Sequence, residues 1–120
     1  VGLLKEHQHT TPHPIELQRE LRDLVSLGAR YVAMEVSSHA LCQYRVNGIR
    51  FDIAVFTNLT QDHLDYHGDM VRYGQAKLQL FHHPGLRYAV LNRDDLFADT
   101  ILKSLPQSVT PIMFSLRDKA

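Results

Sequence analysis

Short apolar runs alternate with helical patterns along this sequence, and no other feature restricts its fold as strongly. Four runs are too short for helices, which is typical of strands buried on both faces. Pro14 and Gly28 suit the start and the C-terminal cap of the first helical pattern, and Pro111 indicates an edge strand. A serine cap is expected to open the second pattern at Ser37, and the acids at 94 and 95 are expected in the first turn of the last one, where the helix dipole favours them. The alternation predicts an α/β fold with a mainly parallel sheet and helices on both faces. The predicted strands are 30–36, 51–58, 87–92 and 110–116, and the helical patterns are 14–29, 37–46, 69–83 and 94–105.

The composition restricts the function classes. The chain has 120 residues, which fits one domain, and its formal net charge is zero with the histidines neutral. This balance gives no reason to expect nucleic acid or an anionic membrane as a partner. Apolar runs stay well short of the roughly 20 residues that cross a bilayer. The single cysteine, Cys42, suits a reducing compartment, so a cytoplasmic location is expected.

Polar side chains follow three of the predicted strands. Ligands of open α/β sheets bind beyond the carboxyl ends of the strands, and in a parallel sheet these ends share one edge. The sequence therefore predicts that groups distant along the chain converge at that edge. These groups are Glu35, Ser37, Ser38 and His39; Thr57, Asn58, Asp62 and His63; and Asn92, Asp94 and Asp95.

The residue types at this edge leave several kinds of chemistry open. A carboxylate with an imidazole suits a divalent cation, Mg²⁺ or Mn²⁺ in an oxygen-rich shell and zinc with more histidines. Asp62 fits a helix cap equally well, with His63 and His67 solvated. Glu35 would then point to water or pair with an arginine. Spacing alone makes Lys77 a lysine whose stem lies along apolar neighbours.

Four segments together resemble the central domain of the Mur ligases, and most of all the branch that adds the third peptide residue. The resemblance runs from Thr10 to Asp95 and implies a P-loop NTPase-like central domain, of which 1–120 is expected to be a part. The segments are "TTPHPIELQREL", "MEVSSHALCQYRV", "FTNLTQDHLDYHGDMVRYGQAKLQLF" and "LNRDD".

The resemblance implies a reaction in peptidoglycan precursor synthesis. ATP, as a substrate, phosphorylates the D-glutamyl carboxylate of UDP-N-acetylmuramoyl-L-alanyl-D-glutamate. A diamino acid, meso-diaminopimelate or L-lysine, then attacks the acyl phosphate through its amine to form an amide. Such catalysis relies on positioning and on neutralisation of phosphate charge by Mg²⁺.

The resemblance also assigns residues. It implies that Lys77 is carbamylated and bridges Mg²⁺, and that His63 acts beside it. The implied Mg²⁺ ligands are Glu35, His63 and Lys77; the implied substrate contacts are Thr10, Thr11, Ser37, Gln43 and Arg45; and Asn92 is the implied nucleotide contact.

The sequence departs from the family pattern in two respects. It contains no G-x-x-x-x-G-K-[ST] phosphate loop, and His9 stands where the family more often has Asn. We therefore expect this chain, without that loop and without the N-terminal and C-terminal domains, to be inactive alone. Its severed sheet neighbours favour self-association. The alternatives are a sibling Mur or folylpolyglutamate-type ligase, a zinc hydrolase using Asp62, His63 and His67, and a non-catalytic binding domain.

Overall fold

The computed structural model describes residues 11–59 and 70–117. It divides into two compact units, Val1–Gly48 and Ile49–Ala120, each described here by itself. The predicted α/β class with a parallel sheet is confirmed. Within the described ranges, no helix is long and apolar enough to cross a membrane.

The first unit contains two helices, α1 (Pro14–Ser26) and α2 (Ser38–Cys42). Pro14 opens α1 as predicted. Gly28 follows the helix with a φ of 89°, and the amide nitrogens of Gly28 and Ala29 donate to the carbonyls of Val25 and Leu24. This paired arrangement is a Schellman motif, which satisfies the last carbonyls and stops the helix at the predicted place.

The predicted strand at 30–36 is wrong for this structure. A strand requires backbone pairing with a neighbour, and within the described residues this segment pairs with none. Tyr31 is 94% exposed and Val32 is 50% exposed. Residues 30–36 thus have the composition of a buried strand, but within the described residues they have no partner strand to pair with.

The second unit holds the three-stranded sheet and two further helices. The strands β1 (Ile53–Phe56), β2 (Tyr88–Asn92) and β3 (Thr110–Phe114) lie in the order β1-β2-β3, and both pairings are parallel. The helix α3 (Met70–Phe81) precedes β2, and α4 (Phe97–Ser104) connects β2 to β3. β3, which contains Pro111, lies at one end of this sheet, as predicted for a proline-bearing strand.

Alternate residues of the sheet divide between two faces. One face packs against α3 and α4 in a single buried cluster. The opposite face carries Ile53, Val55 and Ile112, which are 54%, 55% and 47% exposed. The buried cluster consists of Ala54, Phe56, Phe81, Leu86, Ala89, Leu91, Ala98, Ile101 and Val109.

Gly74 explains how α3 and α4 come close together. A Cβ atom at this position would lie 2.8 Å from Cε2 of Phe97, closer than real Cβ contacts allow. Glycine costs helix stability relative to alanine, but here it leaves room for the Phe97 ring. That ring in turn packs against Phe56 of β1, with the two centroids 5.8 Å apart.

Candidate functional site

In the first unit, the segment before α1 is bound to the segments around α2. The Thr11 hydroxyl donates to the carbonyl of Glu35 at 3.0 Å and accepts from the amide nitrogen of Ser37 at 3.0 Å. Thr11 is fully buried. The Thr11 side chain therefore holds Glu35 and Ser37, which follow it by 24 and 26 positions. It joins the two segments in which substrate contacts were predicted.

Arg45 completes this network. Its side chain is only 8% exposed. Nη1 donates to the carbonyl of Thr11 at 3.0 Å, and Nε and Nη2 both donate to Oε1 of Gln43. Four of the five predicted substrate residues, Thr11, Ser37, Gln43 and Arg45, thus form one hydrogen-bonded group, whereas Thr10 lies outside the described residues.

The charge of Arg45 is not balanced within this network. All its partners are neutral oxygens, and no carboxylate of the described residues is seen in an ion pair with it. Burial of an unpaired cation is costly unless a ligand or partner compensates. These three bonds use three of about five guanidinium N–H groups, so two N–H groups remain for an anionic ligand.

Tyr44 sets the geometry between Gln43 and Arg45. Its φ is 56°, the left-handed region that side-chain-bearing residues rarely adopt. The turn lets the side chains of Gln43 and Arg45, two residues apart, meet in the hydrogen bonds described above. Tyr44 itself is 67% exposed, so the conformation is held by its neighbours and not by packing of its ring.

The two serines at the start of α2 differ in their environment. The Ser37 hydroxyl caps the helix, as predicted, by accepting from the amide nitrogen of Ala40 at 3.1 Å, and its own proton remains a donor. Ser38 is fully buried, and its Oγ has no hydrogen-bond partner within the described part of the chain. Sequence reasoning placed Ser38 near the site but assigned it no contact.

The predicted metal ligands are distributed over the two units. Glu35 lies in the first unit, where its side chain is exposed, and Lys77 lies on α3 in the second. His63 lies outside the described residues, as do Asp62, Asp65 and His67. No group of three His, Cys, Asp or Glu side chains that could hold a metal occurs in the described residues. The metal set therefore stays a prediction.

Lys77 is half-buried on α3. Its Nζ lies 6.0 Å from the centroid of the Tyr73 ring, one helical turn earlier. Tyr73 is only 4% exposed. The ammonium group therefore lies at the limit of a cation–π contact, on a helix that packs into the core of the second unit.

The ends of β1 and β2 meet as the sequence predicts. Nδ2 of Asn92 donates to the carbonyl of Thr57 at 2.8 Å, and Oδ1 of Asn92 accepts from the amide nitrogen of Asp94. Asp95 accepts from the amide nitrogens of Leu59 and Phe97, both at 2.9 Å. The aspartates were expected inside the first turn of a helix, but α4 begins only at Phe97, because Asp95 forms a side-chain turn before it.

Asp94 fastens the end of β3. The Ser115 hydroxyl donates to one of its carboxylate oxygens, and the amide nitrogen of Leu116 donates to the other at 2.8 Å. The bond from Ser115, and next the bond from Leu116, hold the pKa of the Asp94 carboxyl below its ordinary value.

Replacement of Asp94 by asparagine is expected to lower stability in a pH-dependent way. A depressed carboxyl pKa contributes stability above the unfolded-state pKa of about 4, and this contribution disappears as the pH falls through the folded-state value. The difference in the free energy of unfolding between the wild type and D94N should therefore shrink on acidification. Urea unfolding at a series of pH values measures it, with D52N as an exposed control. A difference that grows on acidification would contradict the assignment.

Comparison with known proteins places this arrangement in a family. The chain belongs to the Mur ligase family, because the family model described as the Mur ligase middle domain matches residues 1–120. Mur ligases are ATP-dependent enzymes that form amide bonds, and the predicted resemblance is confirmed.

Curated relatives of this chain include proteins described as UDP-N-acetylmuramoyl-L-alanyl-D-glutamate--2,6-diaminopimelate ligase. The chain is 55% identical to the protein of Ralstonia nicotianae over 111 residues, which are 92% of this chain and 22% of the relative. It is 52% identical to that of Pseudomonas aeruginosa over 119 residues, 99% of this chain and 24% of the relative. It therefore spans about a quarter of the length of these relatives.

A solved structure supports the same relationship. The structure is titled as a UDP-N-acetylmuramoyl-L-alanyl-D-glutamate--2,6-diaminopimelate ligase, and it matches with a TM-score of 0.83 at 41% identity. The match covers 93% of this chain and 23% of the other. The α/β arrangement is thus the fold of a ligase middle domain.

Proposed function

We propose that this chain is the middle part of an ATP-dependent ligase of peptidoglycan precursor synthesis. The enzyme joins 2,6-diaminopimelate to UDP-N-acetylmuramoyl-L-alanyl-D-glutamate. The descriptions of relatives at 50–55% identity support this reaction and favour diaminopimelate over L-lysine. They also favour the ligase over the zinc hydrolase and the non-catalytic domain. A cytoplasmic location belongs to the same proposal, because the single cysteine suits a reducing compartment.

The observation that carries this proposal is the buried Arg45, whose partners within the described residues are all neutral oxygens. Its fixed guanidinium presents a positive fork beside Thr11 and Ser37. The UDP-muramoyl dipeptide carries carboxylate and phosphate groups, and either one fits a guanidinium fork. We assign Thr10, Thr11, Ser37, Gln43 and Arg45 to binding this substrate, with Gln43 and the Thr11 carbonyl orienting Arg45.

The reaction proceeds in two displacements. An oxygen of the D-glutamyl carboxylate attacks the γ-phosphorus of ATP, and ADP leaves. The amine of diaminopimelate then attacks the acyl carbon, and the tetrahedral intermediate loses phosphate and a proton to give the amide. Arg45 holds the UDP-muramoyl dipeptide during both steps, so that the attacking amine reaches the acyl carbon in a fixed orientation. Asn92, at the end of β2, contacts the nucleotide.

Glu35, His63 and Lys77 would hold Mg²⁺, which supplies neutralisation of phosphate charge. These side chains fit a Mg²⁺ ion if Lys77 is carbamylated. The Glu35 carboxylate is exposed and available, whereas an unmodified Lys77 ammonium would repel a cation. Addition of CO₂ to the Lys77 amine, with loss of a proton, gives an anionic carbamate oxygen that suits a hard cation.

An assay of ATP-dependent ligation tests the proposal. The full-length enzyme should release ADP only when the UDP-muramoyl dipeptide is present, and should form the amide with diaminopimelate in preference to L-lysine. ADP release that does not depend on the UDP-muramoyl dipeptide, or a zinc-dependent hydrolysis, would contradict it.

The isolated 120-residue chain is the control for this assay. Without a phosphate-loop motif it should form no amide. The open sheet face with Ile53, Val55 and Ile112 favours association of this isolated chain with itself. Light scattering on the same preparation should show a mass above that of a monomer. Amide formation by this chain would show that the loop is dispensable.

A further inference from the structure

Two side chains at the end of β2 hold the residues that follow β1. The strand β1 ends at Phe56, whose partner in the register is Leu91. Beyond it, the carbonyl of Thr57 accepts from Asn92 and the amide nitrogen of Leu59 donates to Asp95. We call this pair of bonds the strand-end clamp. It fastens the chain on both sides of Asn58.

The clamp also fixes the amide of Asn92. Its Nδ2 donates to Thr57 and its Oδ1 accepts from the amide nitrogen of Asp94, so both ends of the group are committed. An asparagine amide can donate twice and accept twice. One N–H of Nδ2 and one acceptor position of Oδ1 remain for a ligand. Their direction depends on the position of the Thr57 carbonyl, to which Nδ2 is bound.

The position of that carbonyl depends in turn on Asp95. The second oxygen of Asp95 accepts from Phe97 at the start of α4, so the carboxylate is held by an element of the core. Its first oxygen restrains Leu59, two residues after Thr57. A charged acceptor forms stronger hydrogen bonds than a neutral one. Asp95 thus holds in place the segment after β1, and the Asn92 amide is oriented by its bond to that segment.

We infer that Asp95 is a positioning residue for the nucleotide contact of the ligase. It acts through Leu59 and Thr57 on Asn92 and does not itself touch the nucleotide. The inference rests on the proposed nucleotide role of Asn92. It assigns to Asp95 a function that neither the spacing of the sequence nor a helix-dipole interpretation of the "DD" pair indicates.

The test uses the full-length ligase with Asp95→Ser. Serine can still accept from the Phe97 amide, as an ST turn, but it is too short to reach Leu59 as well. The KM for ATP should rise about tenfold, the scale of one charge-assisted hydrogen bond, while the KM for the UDP-muramoyl dipeptide changes little. Asp95→Asn, which is isosteric and also loses one of the two bonds, serves as a second variant if Asp95→Ser does not fold.

A double-mutant cycle separates positioning from general loosening. Asn92→Ala alone should raise the KM for ATP, and Asp95→Ser should add less than about twofold in the Asn92→Ala background, because both act through one contact. Asp99→Asn, which removes an exposed carboxylate of α4 outside this network, is the control and should leave the KM for ATP unchanged.

Two outcomes overturn the inference, and they are distinguishable. If Asn92→Ala raises the KM for ATP but Asp95→Ser does not, or if their effects are additive, Asp95 is not a positioning residue. If Asn92→Ala leaves the KM for ATP unchanged, the nucleotide role of Asn92 fails and the inference fails with it.

Discussion

Replacement of Lys77 by alanine in the full-length ligase is expected to lower kcat by about 1,000-fold. The physical reason is the loss of an anionic oxygen donor to Mg²⁺, which supplies several kcal/mol of charge stabilisation in the transition state. Lys77 is half-buried on α3, and its removal deletes none of the largest core side chains. The free energy of unfolding should therefore change far less than the rate. Initial rates of ADP release and chemical denaturation measure the two effects.

Rescue experiments distinguish a carbamate from an ordinary lysine. Bicarbonate or a short carboxylic acid added to K77A should restore part of the rate, because it can supply the missing oxygen. The control is K103A, which removes an exposed lysine of α4 and should retain the wild-type rate. H63A should lower kcat as strongly as K77A but should resist this rescue. A K77A enzyme with the wild-type rate would rule out the modified lysine, and a wild-type rate in H63A would rule out the histidine ligand.

Replacement of Arg45 by lysine is expected to lower kcat/KM for the UDP-muramoyl dipeptide by about 100-fold. Lysine keeps the charge but offers a point donor in place of a planar fork. It also cannot reproduce the three bonds to Thr11 and Gln43, and the buried Thr11 carbonyl that loses its partner costs roughly 1–3 kcal/mol. Steady-state kinetics with the dipeptide as the varied substrate, together with thermal unfolding, measure both consequences.

The matched control for R45K is R22K. Arg22 is an exposed arginine of α1 in the same unit, and the same substitution there should change neither kinetics nor stability. The KM for ATP should also stay constant in R45K, because the proposal assigns Arg45 to the other substrate. An R45K enzyme whose kcat/KM for the dipeptide equals that of the wild type would refute the anion-binding role.

Local sequence signals predicted the parts of the fold that depend on neighbouring residues. Pro14 and Gly28 marked the ends of α1, and Ser37 was correctly expected to cap α2. The strand at 30–36 could not be decided in this way, because pairing depends on a partner distant along the chain. An apolar run indicates only that burial of its side chains would be favourable. In this structure that burial is not achieved, since Tyr31 is almost fully exposed.

The candidate site shows the same division. No periodicity connects Thr11 to Arg45, 34 residues later, and only the family resemblance suggested that they belong together. The hydrogen bond between them is what the structure adds. Asp95 shows the converse: a favourable interaction with the helix dipole was a sufficient explanation at the sequence level, and the bond to Leu59 depends on the arrangement of two strands.

The bonds that hold Arg45 have a consequence for inhibitors. A long side chain in water loses rotamer freedom when it binds a ligand, at up to about 2 kcal/mol. Three hydrogen bonds and the left-handed turn at Tyr44 have already restricted the guanidinium before any ligand arrives. A rigid, planar anion that matches the fork would therefore meet a preorganised partner, and flexibility in such a compound would only reduce its affinity.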